Sequence, residues 1–180
     1  MGYRHSPDEI LGAAVELALE SGMARLTFGG VGDRLGISDR TVVYYFPTKT
    51  DLINAVVGAL VADTERLLEE AFGSTPLAQE ELMRRAWPAL TASSADRVFR
   101  LYFEIIGLAS AGQSPYVELA PRLVAGWVDW LGPRMLGSTA LVRRRRALAT
   151  LAHIDGLLLV RQVLGPDAAE VAARESGVVH

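Results

Sequence analysis

Residues 27–49 read TFGGVGDRLGISDRTVVYYFPTK, and the punctuation of that stretch decides the fold. Thr27 can cap a helix, the run behind it stops at Gly36, a second run opens behind Ser38, and Pro47 closes it. A small hydroxyl side chain accepts the free amides of a first turn, glycine tolerates the left-handed position after a last turn, and proline cannot prolong a helix. The spacing therefore predicts two short helices joined only by Gly36-Ile37-Ser38, which is the pattern of a DNA-binding helix-turn-helix. Successive helical residues turn by about 100°, so Val42 and Phe46 fall on one side of the second helix and Arg40, Thr41, Tyr44 and Tyr45 on the other. Val42 and Phe46 can close a small core with Val31 and Leu35, leaving the other four facing outward. Arg40 can fork onto guanine O6 and N7, Thr41 can meet a base edge or a thymine methyl, and the tyrosine hydroxyls can reach phosphates. Lys49, at the start of the next helix, adds a phosphate contact beside free backbone amides, and Thr27 can do the same from the first. On spacing alone, an ordinary helical hairpin with half-buried tyrosines and solvated charges accounts for the stretch as well.

Working outward, apolar residues recur at spacings of three and four from end to end, and no alternating stretch bounded by hairpin turns occurs. The chain is expected to be all-α. Ser6-Pro7-Asp8-Glu9 is a capping box with proline at the first helical position, opening a helix that runs to Gly22. A fourth helix starts at Thr48, with Asp51 placed at its positive end, and runs to Gly73. Longer, more apolar helices follow at about 76–91, 95–111, 115–131 and 139–164, with a short one after Pro166. Pro88 and Pro121 are expected to bend or shorten theirs. The change in helix length divides the chain into an expected three-helix DNA-binding domain, residues 1–48, and a larger helical domain, residues 49–180.

Composition narrows the classes. Of 180 residues, 50% are hydrophobic and 22% charged, enough apolar side chain to build a core and too much for a disordered chain. The longest stretch free of Asp, Glu, Lys and Arg is Ile105 to Val117, thirteen residues, where a membrane span needs about twenty. No membrane partner is expected. The opening MGYRHSPDEI has no apolar leader core, and the absence of cysteine removes disulfides and thiolate metal sites, which fits the cytoplasm. Eighteen basic against 21 acidic residues give a net charge of −3, so overall charge points to no polyanion. The window 25–49 is locally +2, with Arg25, Arg34, Arg40 and Lys49 against Asp33 and Asp39.

Ile10-Leu11, Ala13-Ala14, Gly22, Leu26-Thr27, Val31 to Ser38, Thr41, Tyr45-Phe46 and Lys49 to Leu52 together resemble the N-terminal domain of the bacterial TetR-type transcriptional regulators. The likeness covers about the first 57 residues and combines order, spacing and residue type. It implies a homodimeric repressor whose paired helix-turn-helix units bind a palindromic double-stranded DNA operator, and whose C-terminal domain binds a small apolar or aromatic effector that releases it. It also implies that Asp39 to Phe46 form the recognition helix, with Lys49 on a phosphate and Thr27 capping the helix before. The expected DNA-contacting set is thus Thr27, Ser38, Asp39, Arg40, Thr41, Val43, Tyr44, Tyr45 and Lys49. Val43 stands where the family often has tyrosine, which leaves only a thymine-methyl contact. Asp39 can accept from cytosine N4 or simply stabilise a helix N-terminus. Gly29, Gly30 and Gly32 stand in a helix where the family more often has better helix formers, so this helix should depend on tertiary packing.

In the C-terminal part, Met83, Trp87, Phe99, Tyr102, Phe103, Trp127 and His153 are the expected effector contacts, although core packing explains the aromatic residues equally well. His153 and Asp155, two apart on one helix, point to opposite sides and cannot form a dyad. Helices 115–131 and 140–164 are expected to pair with their twofold mates, small residues such as Gly156 allowing close approach. Arg143 to Arg146 wrap around their helix as a solvated face. No HExxH, GxSxG, P-loop or GxGxxG occurs, so neither an enzyme nor a bound cofactor or metal is expected. The competing class is a helical binding protein for lipid-like molecules that has lost DNA recognition.

Overall fold

The computed structural model describes residues 6–179; residues 1–5 and 180, the outer ends of the two expected domains, lie outside it. Among the described residues the chain forms α1 (Pro7–Ser21), α2 (Phe28–Leu35), α3 (Asp39–Tyr45), α4 (Lys49–Phe72), α5 (Gln79–Leu90), α6 (Ala95–Ser110), α7 (Tyr116–Leu131), α8 (Ala140–Leu164) and α9 (Pro166–Glu175). Short 3-10 turns at Met23–Arg25 and Gly132–Arg134 complete it, and no strand is present among these residues.

The caps follow from the sequence. Ser6 Oγ accepts the Glu9 amide at 3.2 Å while the Glu9 carboxylate accepts the Ser6 amide at 2.7 Å, so two orphan donors of α1 are satisfied reciprocally. Thr27 Oγ1 accepts the Gly30 amide at 3.0 Å and opens α2. Gly36 takes φ +67° after the last turn of α2; its amide donates to Asp33 and that of Ile37 to Gly32, a Schellman ending. Thr48 and Asp51 form a second reciprocal box ahead of α4. Ser38 differs: its hydroxyl lies 3.1 Å from that of Thr41 and makes no backbone capping bond.

The chain divides into two compact units, Met1–Thr64 and Glu65–His180, at a boundary within α4 and sixteen residues beyond the expected 48/49. In the first unit α1 packs on α2 and α2 on α3. Ile10, Ala14, Ala18, Met23, Leu26, Val31, Val42, Leu52, Ile53 and Val56 are wholly enclosed. A Cβ on Gly30 would touch the Leu17 side chain at 3.0 Å, whereas one on Gly29 would meet open space. Gly29→Ala should therefore stabilise the unit by about 0.5–1 kcal/mol, the ordinary helix-propensity difference. Chemical denaturation followed by far-ultraviolet circular dichroism would measure it, and a destabilised variant would contradict the open environment.

In the second unit one core runs from Leu68 and Phe72 through Leu82, Met83, Ala86 and Trp87 to Val128, Leu131, Leu151, Leu158 and Ala173. Leu77 lies outside α5 because its backbone is otherwise engaged: its amide donates to the Arg134 carbonyl and its carbonyl accepts from the Leu136 amide, both at 2.9 Å. Helix α5 consequently begins at Gln79, three residues after the expected start. Pro88 lies two residues from the end of α5, but Pro121 sits inside α7, which continues ten residues past it, so the expected shortening there does not occur. Past the first turn Pro121 forfeits its own amide bond and crowds the Val117 carbonyl, and α7 persists at that cost. Arg161 holds Asp96 through two nitrogens at 2.7 and 3.0 Å, fastening the start of α6 to the end of α8. By length and composition α8 could cross a membrane, but one side of it packs against α5, α6, α7 and α9 within the unit.

Candidate functional site

Helix α3 shows the predicted division at Val42, Arg40 and Tyr44, whereas Thr41 and Tyr45, expected to face outward, share the half-buried state of Leu35 and Phe46. Val42 is wholly buried, Leu35 and Phe46 are half-buried, and Tyr44 is 79% exposed. Ser38, Asp39, Arg40, Val43 and Lys49 are exposed; Thr41 and Tyr45 are half-buried. The rings of Tyr44 and Tyr45 meet edge to face with centroids 5.0 Å apart. Burying one apolar edge of a two-turn helix fixes the direction of the other, so the outward set is presented by a firm support. Asp39 Oδ1 accepts the amide of Arg40 at 2.8 Å, which engages this carboxylate at the start of its own helix. Thr27, with its oxygen already accepting from Gly30, keeps a hydroxyl proton to donate. Lys49 stands in the first turn of α4, where amides without intrahelical acceptors point outward.

The +2 window is rearranged by one ion pair. Arg34 forks onto Glu20 of α1, both bonds at 2.7 Å, and that bond raises its pKa above the ordinary arginine value. Arg25, Arg40 and Lys49 are exposed and have no ion-pair partner among the described residues. Arg25 was not among the expected contacts. It closes the 3-10 turn two residues before Thr27, and its membership of the basic window was the only signal in the sequence.

In the second unit the expected effector contacts do not share one environment. Met83 and Trp87 are buried in the core, where Trp87 Nε1 donates to Glu170 Oε2 at 3.2 Å. Phe99, Phe103 and Trp127 pack partly buried against that core. Tyr102 of α6 lies edge-on to Phe103 at 5.3 Å, and its hydroxyl donates to Asp155 Oδ2 of α8 at 2.9 Å. Burial raises the Asp155 carboxyl to about 6, against the opposing pull of the Tyr102 bond. Burial first, then the neighbouring Asp155 charge and hydrogen bond, push the Tyr102 hydroxyl well above its ordinary value. His153 is half-buried, with no hydrogen-bond or ion-pair partner among the described residues.

A groove of about 410 Å³ runs between α7 and α8, lined by Pro121, Val124, Ala125, Val128, Leu141 and Leu148 with Arg144 and Arg145. None of the seven expected effector contacts lines it. The arginine run is solvated as expected, with Arg144, Arg145 and Arg146 exposed, but three of its four side chains are also tied locally. Arg143 donates to the Gly137 carbonyl, Arg146 to that of Leu136, and Arg144 pairs with Asp129 of α7. The preceding turn brings backbone carbonyls within their reach. Among the described residues no group of three or more His, Cys, Asp or Glu could hold a metal.

Residues 10–56 match the family model of bacterial regulatory proteins of the tetR family. No curated protein matches the chain. Its fold is similar to that of solved structures over nearly the whole length. A TetR transcriptional regulator of Legionella pneumophila shares 20% identity, with a TM-score of 0.70 over 98% of this chain and 97% of that one. A transcriptional regulator of Rhodococcus sp. Rha1 shares 22%, at 0.69 over 98% and 100%. The multidrug binding protein EbrR in complex with imidazole shares 26%, at 0.68 over 98% and 92%; EbrR has also been solved with proflavin.

Proposed function

We propose that this chain, a TetR-type transcriptional regulator by its N-terminal domain and its fold, is a repressor that binds a palindromic operator as a homodimer in the cytoplasm and leaves it when a small effector binds. The observation that carries the reading is the division of α3. Buried Val42 anchors it, while Arg40, Thr41, Tyr44 and Tyr45 lie on its other side, with Arg25 and Lys49, which have no ion-pair partner among the described residues, as further cations. This is a reading head of groove-reading and phosphate-binding groups. Helices α7 and α8 supply the dimer surface. Their apolar groove and the exposed Leu141, Leu148, Leu159 and Val163 on α8 favour it. The half-buried aromatic residues of α6 and α7 favour an apolar or aromatic effector, a chemistry that the imidazole and proflavin complexes of EbrR also suggest.

Gel-shift titration against genomic fragments at several salt concentrations tests the reading, because a regulator must prefer some sequences and lose affinity steeply with salt. Failure to prefer any fragment would favour a helical binding protein without DNA recognition. Arg40→Ala should cost about 1–3 kcal/mol on the preferred fragment and relax its sequence preference, whereas Lys49→Ala should weaken all fragments alike. Equal losses on preferred and random DNA for Arg40→Ala would remove it as a base reader.

A further inference from the structure

Along α8, Leu141, Arg145, Leu148, Ala152, Leu159 and Val163 are all exposed and recur at spacings of three, four and seven, so they form one stripe over most of the helix. Two charges on or beside that stripe lack an opposite charge among the described residues. Arg145 has no hydrogen-bond or ion-pair partner among the described residues, although Arg143, Arg144 and Arg146 are each bonded. Asp155, on the flank of the stripe toward α6, accepts the Tyr102 hydroxyl on Oδ2, and among the described residues no donor reaches Oδ1. A half-buried carboxylate with a single neutral donor is a cost to the fold that an outside cation can offset.

We propose that two copies of the chain join through antiparallel α8 stripes crossing near Ala152, so that Arg145 of one protomer pairs with Asp155 of the other, twice across the twofold axis. The inference rests on the homodimer reading above and deepens it. Charge selects the direction. Parallel helices in register would set arginine against arginine and aspartate against aspartate, which is repulsive at both places. Antiparallel helices exchange the two ends of the stripe. A crossing at Ala152 places position 145 opposite position 159, one helical turn from Asp155, and a turn of roughly 6 Å is within reach of an arginine side chain. Exposed Ala152 and Gly156 near the middle allow the backbones to approach, with Leu141 and Val163 at opposite ends. Tyr102 then serves as a positioning residue, steadying the carboxylate whose other oxygen receives the guanidinium.

Sedimentation equilibrium of the full chain, with circular dichroism to verify folding, tests the pairing. Arg145→Glu and Asp155→Arg, each alone, should weaken the dimer about tenfold or more, because each puts like charges together at two symmetric places. Mixing the two variants should produce a heterodimer within about threefold of wild-type affinity, since both contacts then join opposite charges. A role of Asp155 confined to its own protomer cannot be rescued by a second chain. Should Asp155→Arg fail to fold, the milder Arg145→Gln and Asp155→Asn supply a double-mutant cycle, in which coupling supports the pairing and strict additivity overturns it. Variants that dimerise as tightly as wild type, or a mixture that shows no rescue, overturn the pairing and leave the homodimer standing. A wild-type chain that stays monomeric overturns both.

Discussion

Gly32→Ala is expected to destabilise the N-terminal unit by about 2–3 kcal/mol, toward the upper end of overpacking costs, and to depress DNA binding with it. A Cβ at this position would lie 2.7 Å from the carbonyl oxygen of Ile37 and 3.4 Å from the amide of Asp39. Both are backbone atoms, which cannot rotate aside as a side chain would. The Ile37 carbonyl also belongs to the connection between α2 and α3, already fastened by the Ile37 amide donating to Gly32. To admit a methyl group the connection must move, and α3 moves with it. Gly29→Ala, on the same helix, is expected to act in the opposite direction, so the pair separates helix propensity from close approach. Denaturation followed by circular dichroism, beside a gel shift for each variant, checks both. Equal effects from the two substitutions would refute the steric account.

Phe72→Ala should cost the second unit about 3–5 kcal/mol, the usual range for removing a buried phenyl ring. Phe72 ends α4, is 1% exposed, and lies 5.9 Å between ring centroids from Trp130. Its carbonyl accepts from the Arg85 guanidinium at 3.2 Å, so the backbone here is fixed and the space left by the ring cannot easily close. Loss scales with the cavity that remains. The measurement is convenient because all three tryptophans, Trp87, Trp127 and Trp130, belong to the second unit. Urea unfolding read by tryptophan fluorescence therefore reports this unit alone. A loss below about 1 kcal/mol would mean that the neighbours collapse into the vacated volume.

What the order of residues discloses by itself is mainly what near neighbours along the chain decide among themselves. Ser6 with Glu9, Thr27 with Gly30, Gly36 after α2 and Thr48 with Asp51 are pairings within four residues, and each helix end they govern lies where the pattern puts it. The two faces of α3 are legible for the same reason, since burial of Val42 follows from helical period. Pairings between distant positions were not legible. Leu77 meets Met135 by backbone hydrogen bonding that no side-chain pattern encodes, which delayed the start of α5. Asp155 finds Tyr102, fifty-three residues away, and not its near neighbour His153. Aromatic spacing could not separate Met83 and Trp87 in the deep core from Phe99, Phe103 and Trp127 around it, because both environments demand the same chemistry.

The fork between Arg34 and Glu20 bears on how this surface would respond to ionic strength. Each phosphate neutralised on duplex DNA sets free close to one condensed counterion, and the slope of affinity against salt counts those released. An arginine whose nitrogens already rest on a carboxylate displaces no sodium unless that bond is first broken. Counting cations along residues 25–49 would thus overstate the slope, with Arg25, Arg40 and Lys49 left to set it. Severing the fork with Glu20→Gln should steepen the salt dependence, read by gel shift at several salt concentrations, although Glu20 lies on α1 outside the expected contact set.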